Sequence, residues 1–164
     1  MTAGGIFRPG MRAYFIPLTA GVVLAASAFL PWVIVADIPM RGVPDVAGLW
    51  IAGLGAAAAL LALASLITRK NSRHPLLLIG LVALGIMFLS WQLMPRIVAD
   101  RALTRSQALA IVENTPIGTT PRTTVGQGIY IGLAAAGAIV GFGLTIVLKR
   151  VGQPYAPPSD DDVE

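Results

Sequence analysis

The stretch Val46–Thr68 reads VAGLWIAGLGAAAALLALASLIT and carries no charged side chain. An α-helix rises about 1.5 Å per residue, so roughly 20 residues cross a hydrocarbon core of about 30 Å. This run meets that length in one piece. Working outward, three more stretches read the same way: Tyr14–Ala36, Pro75–Met94 and Gly128–Leu148, all without Asp, Glu, Lys, Arg or His. The expected fold is an all-α integral membrane protein, a four-transmembrane-helix bundle. Its domain covers residues 1–150 and a tail follows at 151–164.

Composition agrees. The 164 residues are 55% hydrophobic and 12% charged, with a mean hydropathy of +0.76. A soluble domain carries about a quarter charged residues, so lipid is the solvent for most of this surface. The net charge of +4 comes from Lys and Arg gathered at span ends. There they set topology and meet anionic headgroups. No basic cluster is interleaved with aromatics, which excludes a nucleic-acid partner. Cysteine is absent, and with it disulfide and thiolate chemistry.

The first apolar run has features of a secretory signal: Arg8 and Arg12 precede it, and Ala26-Ser27-Ala28 offers small residues for cleavage. It continues through Phe29, Leu30, Trp32 and Val35, beyond signal length, and reads as an uncleaved helix with Pro31 bending or ending it near its far end. Basic flanks set orientation. Arg8, Arg12, Arg69, Lys70, Arg73, Lys149 and Arg150 share one side, against Arg41, Arg96, Arg101, Arg105 and Arg122 on the other. This bias places both termini in the cytoplasm of a bacterial inner membrane. Trp32, Trp50, Trp91 and Tyr130 fall toward the outer ends of their spans and form the expected interfacial belt.

The loop Asp37–Asp45 contains Pro39, Gly42 and Pro44 and reads as turns. Residues 95–127 form the one sizeable polar segment. Within it Thr104-Arg105-Ser106-Gln107 fits a capping box. Ile97, Val98, Ala102 and Leu103 fall opposite Arg96, Asp100, Arg101 and Arg105. This predicts a short amphipathic outer helix over Ile97–Glu113 between the third and fourth spans. Pro116, Gly118 and Pro121 then make an irregular return. The tail, with Pro154, Pro157, Pro158 and Asp160-Asp161-Asp162, is too polar to order itself.

Lipid tails remove the hydrophobic drive for helices to meet, so close backbone approach must supply it. Small residues four apart predict the packing faces: Gly128, Gly132, Gly137 and Gly141 on the fourth span, and Gly48, Ala52 and Ala56 on the second. Gly21 with Ala25 repeats the spacing on the first.

Chemistry is sparse. Intramembrane charges mark proton and ion paths, and none is present. Ser27, Ser65, Ser90 and Thr145 are expected to bond to their own helices. His74 is the sole histidine, so no metal site or cofactor is expected, and no catalytic set is found. Leu30-Pro31-Trp32 at the end of the first span, and Gly126-Gln127-Gly128-Ile129-Tyr130-Ile131-Gly132-Leu133 at the start of the last, resemble small four-helix membrane proteins of high-GC bacteria. That group is mostly without assigned function, so the resemblance implies the helix layout and no catalytic residues. The functional expectation is a non-enzymatic accessory or assembly subunit of a larger membrane complex, partnered by the lipid bilayer and by other membrane subunits or copies of itself. The alternatives are an oligomeric channel or transporter, and an envelope sensor using residues 97–122.

Overall fold

Proline stops the first helix well before its apolar run ends. A computed structural model describes residues 13–68, 73–113 and 122–151. Helix α1 covers Phe15–Ser27, and the chain turns through Ala28–Leu30 into strand β1, Pro31–Val35. A continuing helix would need an N–H at position 31 to reach the carbonyl of Ser27. Proline has none, and its ring clashes with that carbonyl. Leu30, before a proline, is also driven out of the helical region. The residues beyond are Trp32, Val33, Ile34 and Val35, aromatic and β-branched strand formers. The expected span Tyr14–Ala36 is therefore corrected. Its helix has 13 residues, about 20 Å, and the remainder is sheet.

The strand returns at once. Ala36 and Asp37 both have positive φ, 46° and 67°, and form a two-residue hairpin loop whose left-handed backbone matches strand twist. Strand β2 is Ile38–Arg41, and strand β3, Thr123–Val125, pairs with the other edge of β1. The sheet order is β2-β1-β3, all antiparallel. Val35 faces Ile38 and Val33 faces Met40, but the register then slips so that Pro31 faces Arg41. Trp32 is the extra residue of this bulge. Bulges re-aim side chains, and here Trp32 and the adjacent Val33 are both buried.

Helix α2, Val46–Thr68, has the predicted bounds. Helix α3 runs unbroken from Arg73 to Glu113, 41 residues with Pro95 inside. This corrects the expectation of a separate amphipathic helix after Met94: the helix that carries the third apolar run continues through it. Pro95 forgoes one backbone hydrogen bond, and the helix resumes on both sides of it. Thr104 is then mid-helix, and its hydroxyl donates to the Asp100 carbonyl at 2.9 Å. It caps nothing, because the Ser106 and Gln107 N–H groups that a cap would bond lie inside a continuous helix and already reach carbonyls one turn back. Helix α4 is Gln127–Val151.

Each helix packs mainly on its two neighbours in a ring α1-α2-α3-α4, with the sheet closing one end. Among the described residues α2, α3 and α4 are long and apolar enough to cross a membrane, and α1 is a shorter apolar helix. The protein is a small multi-pass helical membrane protein. Arg8, Arg12, residues 69–72, the return through Pro116, Gly118 and Pro121, and tail residues 152–164 lie outside the described residues.

Candidate interaction surface at the sheet end of the bundle

The sheet is pinned to the bundle by one side chain. Trp32 is fully buried, and its Nε1 donates to the carbonyl of Ser27 at 2.9 Å. That carbonyl is the acceptor Pro31 leaves without its helical donor, and the Leu30 N–H shares it at 3.2 Å. Glycines line the ring's seat. A Cβ on Gly128 would lie 2.8 Å from the indole, and one on Gly42 would meet it within 2.8 Å. Gly126 donates its N–H to the Trp32 carbonyl at 2.7 Å, and Val43 donates to Ala28 at 2.9 Å. Trp32 is thus a core peg joining α1, both hairpin strands and the start of α4, which corrects its place in the interfacial belt. A lone proline-tryptophan pair at a span end reads equally as belt, and only the bulge turns the ring inward.

The other belt residues point outward. Trp50 is 62% and Tyr130 54% exposed. Trp91 is half-buried beside Phe88, with ring centroids 5.8 Å apart.

The small-residue faces are redistributed. On α2 the buried positions are Gly48, Ile51, Gly55, Ala58, Ala62 and Ser65. These alternate steps of three and four, which keeps a stripe straight along a helix of 3.6 residues per turn. The predicted steps of four drift about 40° each time. Gly48 therefore packs against the backbone of Gly42, Ala52 is half-buried, and Ala56 faces out. Gly55, which four-residue spacing missed, meets Gly21 and Ala25 of α1 backbone to backbone. Its place seven residues after Gly48 and seven before Ala62 was the available signal. On α4, Gly128 sits at Trp32, and Gly132 sits against Met87 and the Ser27 hydroxyl. Gly137 and Gly141 are corrected: both are exposed, with nothing near a built Cβ. Gly143 faces Leu77 of α3 instead, and Gly80 of α3 faces Ile139 and Val140.

Beyond the sheet the far half of α3 forms an arm. Residues 95–113 add about 28 Å at the helical rise. Val98, Ala102, Leu103 and Ser106 are half-buried and Ala110 is buried, with β3 and β1 against this helix. At the arm's far end Leu109 is 48%, Ile111 81% and Val112 82% exposed. Strand β2 is exposed along its whole length, Ile38 and Met40 included.

Among the described residues no three His, Asp or Glu side chains lie together as metal ligands. Ser27 donates to Leu24 (2.6 Å), Ser65 to Leu61 (2.8 Å) and Thr145 to Phe142 (2.7 Å), each on its own helix. The chain matches no family model, no curated protein and no solved structure.

Proposed function

We propose that this protein is a non-enzymatic accessory or assembly subunit of a larger membrane complex. It sits in a bacterial cytoplasmic membrane, with both termini in the cytoplasm and the sheet end outside. The observation that carries this reading is the arm of α3. Ile111 and Val112 are more than four-fifths exposed, about 25 Å along the helix past Met94, where lipid no longer covers apolar side chains. Large apolar side chains left this exposed outside the lipid are available for a partner to cover. The unpaired edge of β2 and the exposed Ile38 and Met40 extend the same end of the molecule.

The channel alternative gains no support. It needs Ser27, Ser65, Ser90 and Thr145 to line one path, and three of the four hydroxyls are spent on their own helix backbones. The test is purification of the tagged full chain from its native membrane in mild detergent. A stoichiometric partner subunit is expected, and the double variant Ile111→Arg/Val112→Arg should lose it while inserting at normal levels. A monodisperse monomer across several detergents, or a partner retained by the double variant, overturns the proposal.

A further inference from the structure

A groove of about 360 Å³ opens between the start of α2 and the middle of α3. Its walls are Ile86, Leu89, Leu93 and Ile97 of α3, one face of that helix read over successive turns. Its polar groups are three. Asp45, just before α2, and Arg101, on the arm, sit at the rim, and Ser90 lies within. The order along α3 follows depth. Ile86 is eight residues inside Met94 and Arg101 seven beyond it, so the groove runs about 22 Å from apolar to charged.

Two features show that this groove is incomplete as it stands. Ser90 is 7% exposed, yet among the described residues its hydroxyl has no hydrogen-bond partner. The other Ser and Thr hydroxyls of the four helices, on Thr19, Ser27, Ser65, Thr68, Thr104, Ser106 and Thr145, all donate to carbonyls of their own helix. A buried hydroxyl without a partner is a standing penalty. Asp45 and Arg101 have opposite charges and line the same groove, but they form no ion pair with each other.

We propose that the groove binds one zwitterionic phospholipid with a primary amine, of the phosphatidylethanolamine class. Its phosphate pairs with the Arg101 guanidinium and its ammonium donates to the Asp45 carboxylate. An ester carbonyl accepts from Ser90, and one acyl chain lies along Leu89 and Ile86. The charges select the headgroup. A glycerol headgroup offers Asp45 only neutral hydroxyl donors and no positive charge, and a choline headgroup has no N–H for its carboxylate. The volume suits part of a single chain with its glycerol, within the usual range of ligand pockets. This site uses the base of the arm, below the exposed Ile111 and Val112, and holds whether or not a partner subunit is found.

The experiment is native mass spectrometry of the full-length protein in non-ionic detergent, with dioleoyl phosphatidylethanolamine, phosphatidylcholine and phosphatidylglycerol in equimolar competition. One phosphatidylethanolamine per chain is expected to survive activation that strips the other two. Arg101→Ala and Asp45→Ala should each lower its apparent affinity roughly tenfold, the loss of one charge-assisted hydrogen bond. Gln92→Ala, off the groove, should leave it unchanged. Equal retention of the three lipids, a preference for phosphatidylglycerol, or wild-type affinity in both rim variants overturns the proposal. Displacement of the lipid by equimolar soluble phosphoethanolamine also overturns it, since the apolar wall would then contribute nothing.

Discussion

Adding one methyl group to α2 at two positions two residues apart should change stability in opposite directions. A Cβ on Gly55 would lie 2.7 Å from the Gly21 carbonyl oxygen and 2.9 Å from the Ala25 Cα, with the Ala25 nitrogen also in its way. These are backbone atoms and cannot rotate aside. Carbon contacts relax near 3.5–4.0 Å, so α1 must move off by close to 1 Å. Overpacking of this kind costs about 1–3 kcal/mol. Alanine recovers about 0.8–1 kcal/mol of helix propensity over glycine, so Gly55→Ala should destabilise by up to about 2 kcal/mol net. Gly53 has open space where its Cβ would be, so Gly53→Ala gains the propensity alone. The difference between the variants isolates the steric contribution, because the propensity term cancels. Unfolding by sodium dodecyl sulfate titration in mixed micelles, followed by far-UV circular dichroism, measures it. Equal stability of Gly55→Ala and Gly53→Ala would refute the contact of α1 on α2.

Two further outcomes test other parts of the fold. Trp32→Phe removes the hydrogen bond to the Ser27 carbonyl and should cost about 0.5–1.5 kcal/mol, while Trp32→Ala empties a buried site and should cost about 3–5 kcal/mol; the same titration ranks them. Gly143→Leu should destabilise the bundle, because a Cβ there already lies 2.7 Å from the Leu77 Cβ, whereas Gly141→Leu should be tolerated, and thermal melting in detergent separates the two.

How far the sequence could be read depended on the scale of the signal. A charge-free run such as Val46–Thr68 is decided by composition over a whole span, and its bounds agree with the helix. The start of α4 was legible for the same reason. Local punctuation was less reliable. Pro31 and Pro95 are both prolines in apolar surroundings, yet α1 has already ended before the first and α3 continues through the second. The difference lies in the residues downstream of each proline: Trp-Val-Ile-Val favours a strand and finds β2 and β3 to pair with, while Arg96–Glu113 favours helix. The hairpin loop Ala36-Asp37 lacks the Asn-Gly or Asp-Gly signature that announces a left-handed turn, so the region read as unstructured turns.

What the sequence determined by itself was the solvent. The absence of charge across four long apolar runs allows lipid and excludes a water-facing core, because transfer free energy adds up residue by residue with no knowledge of partners. What only the tertiary structure decided was direction: that Trp32 points into the core, that Gly55 and Gly143 touch neighbours while Gly137 and Gly141 face outward, and that Asp45 and Arg101 share one groove. Facing depends on the angle at which one helix meets another and on a single bulge in a strand. Both arise from contacts between segments far apart in the chain.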